Sequence, residues 1–187
     1  MAIGFFVLGL MQSSPALVET VPRTGRVAGV LERKPGCLVV RLWAGQNSSV
    51  EMRDRVRRTS DGLYAAWNVH DADAVAAVYA EDAEFFDVVS GITMKSRDAI
   101  RGHVAGCFAG FGDFSVARRM LLIDGRTGAD QWVMQGTHTG EYQGVPATGN
   151  TMEVAGATFS EYDEQGLVIC ATNYVDVPAF LRQLGLG

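Results

Sequence analysis

The sequence predicts an α+β fold in which three N-terminal helices pack on one face of a curved antiparallel sheet. Apolar residues recur at helical spacing from residue 53 to residue 111. Four strand-like runs then follow one another from residue 114 to residue 177, with glycine-containing turns between them. Consecutive strands joined in this way are typical of an antiparallel meander. Helices on one face of a curved sheet make a cone with one open mouth, which predicts a small-molecule pocket.

The first helix is predicted from Met52 to Asn68, with an apolar face that includes Val56, Leu63, Tyr64 and Trp67. Asp71 is a suitable N-cap for a short second helix. The apolar face of that second helix is predicted to be Ala74, Val75, Val78 and Tyr79. Residues 83–89 read as a short strand that turns at Ser90-Gly91.

The third helix is predicted to begin at Ser96 or Arg97, to carry an apolar face that runs from Ile100 to Phe111, and to be stopped by Gly110 and Gly112. The strand runs of the meander are 114–124, 130–142, 151–162 and 167–177. A closing helix over 179–184 follows Pro178, with Asp176 as a possible cap.

Composition narrows the class of protein. Hydrophobic residues make up 48% of the 187 residues, enough for a packed core, and the net charge of −5 argues against a nucleic acid partner. Cys37, Cys107 and Cys170 are odd in number and far apart, so we interpret them as reduced thiols of a cytoplasmic protein. The three histidines have no ligand spacing, so no metal site is expected.

The charge distribution predicts a boundary near Met52. Residues 1–51 carry five basic and three acidic residues, whereas residues 52–187 carry eleven basic and eighteen acidic residues. The apolar run at 3–11 is too short to span a membrane, and no basic residue precedes Arg23 as a signal peptide would require. We therefore expect a poorly defined extension over 1–51, a domain over 52–187 and no membrane partner.

Four stretches of the chain resemble the SnoaL-like polyketide cyclases of the nuclear transport factor 2-like superfamily. They are YAAWN at 64–68, the Tyr-x-x-Asp-Ala-x-Phe-x-Asp pattern at 79–87, GTHTG with the following P-x-T-G at 136–149, and the ending at 174–185. The third stretch is the most specific. The resemblance implies the cone fold, a homodimer, no cofactor, and ring closure by intramolecular aldol chemistry. Relatives in the superfamily include ketosteroid isomerases, epoxide hydrolases and non-catalytic binders.

Asp87 is the first candidate catalytic residue. It ends the strand that contains Phe85 and Phe86, where the chain is expected to enter the pocket. A carboxylate in an apolar pocket is a stronger base than one in water, and aldol chemistry needs a base beside a carbonyl. By its place in the pattern, Asp87 matches the general base of the ketosteroid isomerases. The alternative is a strand-end aspartate that caps a turn.

His138 is the second candidate. On a strand, Trp132, Met134, Gly136 and His138 share one face, which suits a pocket wall that ends in a polar group. A neutral imidazole can donate a hydrogen bond to a carbonyl. The resemblance places the histidine of such stretches in the cyclase active site. The alternative for His138 is a structural histidine. The other two histidines, His70 and His103, are expected at exposed positions.

Glu153 is the third candidate, because the cyclases take an acid/base residue from the next strand. If Met152, Val154 and Gly156 face inward, Glu153 faces solvent, unless a bulge after Pro146 shifts the register. A Glu153 that faces outward favours a binding role or another chemistry.

Five further residues are candidates for substrate contact: Tyr64, Trp67, Trp132, Met134 and Asn173. At helical spacing, Tyr64 and Trp67 fit a plain core equally well. The leading hypothesis is a cofactor-free cyclase or isomerase that acts on a small apolar carbonyl compound. The alternatives are a non-catalytic binding domain of the same fold and a purely structural dimerising domain.

Overall fold

The computed structural model describes residues 46–187 and consists of four helices and six strands in this range. The elements are α1 (Gln46–Asn68), α2 (Ala72–Ala77), β1 (Tyr79–Asp87), β2 (Ile92–Met94), α3 (Arg97–Gly110), β3 (Ser115–Asp124), β4 (Thr127–Thr137), β5 (Thr151–Tyr162), β6 (Val168–Val175) and α4 (Val177–Leu184). The predicted α+β class is confirmed. The N-terminal extension falls mainly outside the described residues, so it stays a prediction.

Several element boundaries differ from the predicted ones. The first helix begins at Gln46, before the predicted start at Met52. The residues before Met52 have no apolar periodicity that would predict a helix, and Val50 is exposed. Helix α2 ends at Ala77, so Tyr79 belongs to β1 and not to a helical face. The pairing of β1 shifts between Tyr79 and Glu84, and this irregularity hides the strand's period of two.

Helices α2, α3 and α4 have the N-cap residues that the sequence predicted. The side chains of Asp71, Ser96 and Asp176 accept hydrogen bonds from backbone N–H groups in the first turns of α2, α3 and α4. Each cap satisfies a donor that the helix itself leaves unpaired. These three helix starts were therefore readable from local sequence.

The six strands form one sheet with the order β2-β1-β6-β5-β4-β3. The meander β3 to β6 is antiparallel as predicted, but β1 pairs with β6 in parallel, so the sheet is mixed. Short turns determine the pairing of consecutive strands only. The partner of β1 is reached after the whole meander, which no local pattern encodes.

The core lies between the concave face of the sheet and the helices. One cluster joins α1, α2 and α3 to β1 and β6 through buried residues such as Val56, Val75 and Ile100. A second cluster joins α4 to β5 through Phe180, Leu184 and Met152. The helices thus cover the concave face and leave a cavity within it.

The prediction that all three cysteines are reduced is wrong for Cys170. Cys170 is disulfide-bonded, whereas Cys107 is a free, buried thiol. The cytoplasmic location stays a prediction. No helix among the described residues is both long and apolar enough to cross a membrane.

Candidate functional site

A cavity opens on the concave face of the sheet, between the strands and α1, α3 and α4. Its empty volume, which includes open solvent at the mouth, is about 910 Å³. Aromatic side chains make up much of the wall, among them Trp67, Phe85, Phe111, Phe114 and Phe180. Such a wall suits a flat apolar ligand.

All five residues predicted to contact substrate lie on this wall. Tyr64 and Trp67 extend from α1, Trp132 and Met134 from β4, and Asn173 from β6. The inward face of β4 follows the predicted period of two.

Asp87 also lines the cavity, at the end of β1, and is only 3% exposed. The backbone N–H of Ser90 donates to its Oδ2 atom at 2.9 Å, and the Asn173 amide lies 3.5 Å from its Oδ1 atom. The Ser90 contact corresponds to the turn-capping alternative. Because the same carboxyl also faces the cavity, capping and a role in the site are compatible.

A chain of hydrogen bonds runs along the sheet to Asp87. The Trp132 indole N–H donates to Thr158 Oγ1 at 2.9 Å, and Thr158 Oγ1 donates to Asn173 Oδ1 at 3.0 Å. The Asn173 amide then reaches Asp87. This chain orients Asn173 so that its N–H group, and not its carbonyl, faces the carboxylate.

The structure does not place His138 on the cavity wall. The histidine is fully buried and stacks on Phe111, with ring centroids 5.1 Å apart. Its Nδ1 atom lies 3.2 Å from Thr148 Oγ1, and its backbone N–H donates to Asn150 O. Strand β4 ends at Thr137 instead of running to Tyr142, so His138 begins the following loop. Its ring packs on Phe111, which is a residue of the cavity wall. The expected position of His138 at the pocket surface is therefore wrong.

Glu153 faces away from the cavity. Met152 and Val154 are buried, whereas Glu153 is exposed and its backbone N–H donates to Gln183 Oε1 at 2.7 Å. The pairing of β4 with β5 runs without a shift from Thr127 to Thr151, so no bulge reverses the inward face of β5. The Glu153 carboxylate lies on the wrong face to act in this cavity.

Three polar residues of the cavity were missed from the sequence: His103, Cys107 and Tyr142. His103 Nε2 lies 3.8 Å from Cys107 Sγ, which lies 3.8 Å from Tyr142 Oη. Their spacing carried a signal, because His103 and Cys107 are four apart on α3 and share one helical face. Burial lowers the pKa of His103, and the nearby negative charge of Asp87 partly offsets this change.

Tyr142 reaches the cavity because its loop is held against the end of α3. The backbone N–H groups of Thr139 and Gly140 both donate to Gly110 O at 3.0 Å. A Cβ atom on Gly110 would lie 2.8 Å from Tyr142 Cβ, so the glycine permits this close approach. Burial raises the pKa of Tyr142, and the charge of Asp87 raises it further, so the phenol remains protonated.

Asp130 is a second missed carboxyl group of the cavity wall. It is 4% exposed and accepts a hydrogen bond from Ser60 Oγ at 2.9 Å. Burial raises its pKa, while the Ser60 hydrogen bond and the charge of Arg118 act in the opposite direction. The period of two from Trp132 would have placed Asp130 on the same face of β4.

Among residues 46–187, no group of three or more His, Cys, Asp or Glu side chains is arranged to hold a metal ion.

Comparisons with known proteins agree on one family. A family profile for SnoaL-like polyketide cyclases matches residues 57–184, well over half of the chain. No curated protein sequence matches the chain.

Several solved structures have the same fold. A putative SnoaL-like polyketide cyclase from Jannaschia sp. CCS1 is 18% identical, with a TM-score of 0.65 over 72% of this chain and 94% of that chain. IdmH, a putative polyketide cyclase from Streptomyces antibioticus, is 26% identical, with a TM-score of 0.60 over 70% of this chain and 98% of that chain. AclR, a putative hydroxylase from Streptomyces galilaeus, is 20% identical, with a TM-score of 0.61 over 72% and 82%.

Proposed function

The chain belongs to the SnoaL-like polyketide cyclase family, and on this premise we propose that it is a cofactor-free cyclase or isomerase of a small apolar carbonyl compound. The observation that carries the proposal is the Asp87 carboxyl group, which is almost completely buried yet lines an open aromatic cavity. Asp87 is the proposed general base, which removes a proton from the carbon next to the carbonyl.

The contacts of Asp87 support this role. Oδ2 accepts the Ser90 N–H at 2.9 Å, whereas Oδ1 has only the long 3.5 Å contact with Asn173. Oδ1 therefore has lone pairs available for a proton from the ligand. The apolar rings that line the cavity around the carboxyl group limit the access of competing water.

Proton removal leaves an enolate whose negative charge lies mainly on oxygen, so a nearby donor is required. We assign this role to Tyr142 in place of His138. Tyr142 Oη accepts a hydrogen bond from Gln143 Nε2 at 3.0 Å, which leaves its own O–H proton available for the enolate oxygen. The neutral His103 ring, which faces the same space, is a second possible donor.

The complete reaction needs no external reagent. In a cyclase, the enolate carbon attacks a second carbonyl carbon of the same molecule, and the new alkoxide takes the proton back from Asp87. In an isomerase, Asp87 returns the proton to a different carbon of the enolate. Both routes begin with the same proton abstraction, so exchange of the α-proton with solvent tests them together.

The experiment that tests the proposal follows this exchange by NMR in D₂O with ethyl naphthoylacetate, an aromatic β-keto ester, as the probe. The wild-type protein is expected to accelerate exchange above the buffer rate. Binding of the probe without any acceleration would favour the alternative function, a non-catalytic binding domain. The outward position of Glu153 is the observation that favours this alternative, because the family's acid/base strand then contributes no carboxylate to the cavity.

Tyr142→Phe is expected to slow exchange of the same probe by about ten- to a hundredfold, because it removes one enolate donor. The Michaelis constant should change little, since the ring that packs on Phe111 is kept. Tyr174→Phe is the matched control, because Tyr174 is exposed on the outer face of β6. An unchanged rate for Tyr142→Phe would assign the donor role to another group.

We also propose a homodimer that forms through the outer face of the sheet. Five large apolar side chains are exposed there on β3, β5 and β6: Met120, Leu122, Phe159, Ile169 and Tyr174. Phe159 is 54% exposed and forms an edge-to-face pair with Tyr174, with ring centroids 6.0 Å apart. Clustered exposed aromatic and aliphatic groups are typical of protein interfaces.

Phe159→Asp is expected to convert the dimer to a monomer at micromolar concentration, because the carboxylate would be buried without a partner. Sedimentation velocity measures the change. Val69→Asp, which alters an exposed apolar residue after the end of α1, should leave the dimer intact. A wild-type monomer, or a dimer that tolerates Phe159→Asp, would contradict this interface.

A further inference from the structure

The cavity has two polar ends, and they lie on a single row across the sheet. Asp130 of β4 pairs with Thr158 of β5, Thr158 pairs with Asn173 of β6, and Asn173 pairs with Asp87 of β1. All four residues line the cavity. Three strand-to-strand steps of about 4.8 Å separate the two aspartates, which is about 14 Å between Cα atoms along the sheet.

The middle of the row is already hydrogen-bonded within the protein. Thr158 Oγ1 accepts from Trp132 and donates to Asn173, and the Asn173 amide is directed toward Asp87. A ligand that crosses the middle therefore finds few free polar groups. Along this row, the hydrogen-bonding capacity left for a ligand lies at the two carboxyl groups.

The Asp130 carboxyl is only partly satisfied by the described part of the chain. Its Oδ1 atom accepts the Ser60 hydroxyl at 2.9 Å, but no described residue forms a hydrogen bond with Oδ2 or an ion pair with Asp130. The nearest guanidinium, that of Arg118, is occupied by Ser60 and Asp61. Because Asp130 lines the cavity and its Oδ2 atom accepts no hydrogen bond from the described residues, this oxygen is available for a hydrogen-bond donor of the ligand.

The groups around Asp130 indicate which kind of ligand group can bind at this end of the cavity. Tyr64 and Ser160 line the wall beside it, and the Ser60–Asp130 hydrogen bond fixes the carboxyl between α1 and β4. Burial raises the pKa of the carboxyl group, because its charged form loses hydration. A hydroxyl group is a donor that fits, because it brings no charge and can bond to either form of a carboxyl group.

We propose that Asp130 is a specificity-determining residue that binds a hydroxyl group of the substrate, at the opposite end of the cavity from the carbonyl group beside Asp87. The substrate is thus a flat, apolar hydroxyaryl ketone whose two polar groups lie on the order of 10 Å apart, slightly less than the strand-to-strand span of the row. This inference rests on the proposed small-molecule function of the cavity but requires no turnover.

The test measures equilibrium binding of two probes that differ in one hydroxyl group, 6-hydroxy-2-acetonaphthone and 2-acetonaphthone, by isothermal titration calorimetry with the full chain. Wild-type protein is expected to bind the hydroxylated probe about tenfold or more tightly, as a hydrogen bond to a charged group allows. Asp130→Asn should reduce that preference to about two- to threefold and leave the affinity for 2-acetonaphthone nearly unchanged, because a neutral acceptor replaces a charged one.

A second variant and the pattern of outcomes separate this role from a structural one. Ser60→Ala removes the contact between α1 and Asp130 but keeps the carboxyl, so the preference for the hydroxylated probe should persist. The inference is overturned if wild type shows no preference, if Asp130→Asn keeps it, or if Asp130→Asn weakens both probes equally. It is also overturned if Asp130→Asn stops proton exchange without changing the preference, since Asp130 would then act in the chemistry. A lack of exchange in wild type, with the preference intact, would reject the proposed reaction and retain the inference.

Discussion

Asp87→Asn is expected to reduce protein-catalysed proton exchange by about 10²- to 10⁴-fold, the usual contribution of a general base. The amide oxygen of asparagine can still accept the Ser90 N–H, so the turn after β1 keeps its hydrogen bond. The amide cannot remove a proton from carbon. NMR in D₂O with ethyl naphthoylacetate measures the change, and binding of the probe should be retained.

Asp82→Asn is the matched control for this variant, because Asp82 lies on the same strand but is exposed. Its exchange rate should equal that of wild type. Circular dichroism and the urea midpoint of Asp87→Asn establish that the fold is retained. Unchanged exchange in folded Asp87→Asn would remove this residue as the base, and the binding-domain alternative would take precedence if wild type also lacks exchange.

Gly156→Ala is expected to reduce the free energy of unfolding by about 3 kcal/mol, at the upper end of the usual cost of overpacking a core. A Cβ atom at this position would lie 2.3 Å from Trp132 Cη2 and 2.5 Å from the Tyr174 carbonyl oxygen. Neither group can move freely, since the indole is bonded to Thr158 and the carbonyl belongs to the β6 backbone. Urea unfolding monitored by circular dichroism measures the loss.

The same substitution should also weaken binding of the naphthyl probes, because the displaced indole is part of the cavity wall. Gly62→Ala is the control, since a Cβ atom there has no neighbour within 4 Å. In α1 it should stabilise the protein by up to about 1 kcal/mol, as expected from the helix propensity of alanine. Equal stability of Gly156→Ala and wild type would contradict the tight packing of Trp132 on β5.

Local sequence patterns predicted the greater part of the fold. The caps Asp71, Ser96 and Asp176 marked helix starts correctly, and strand β5 occupies the predicted range 151–162. These features depend on neighbours within a few residues or on an unbroken period. Strand β2, three residues long, was missed because it is too short to display a period.

The candidate site was only partly predictable. Four wall residues were found because α1 and β4 have a clear apolar face. Asp87 and Asn173 were found from their positions near the ends of β1 and β6. His103 was assigned to solvent, although it shares a face of α3 with Cys107. Asp130 was overlooked, although it shares a face of β4 with the recognised pocket residue Trp132. In contrast, the burial of His138 depends on where β4 ends, which the sequence around residues 136–142 did not indicate.

Periodicity, caps and turns in the sequence predicted the α+β class, the order of the main elements and the inward face of β4. The packing of the whole domain determines which inward residues meet. The parallel pairing of β1 with β6 brings Asp87 beside Asn173, and the docking of the 138–150 loop on α3 brings Tyr142 into the same cavity. Such contacts join residues tens of positions apart and result from packing over the whole domain, so no local pattern contains them.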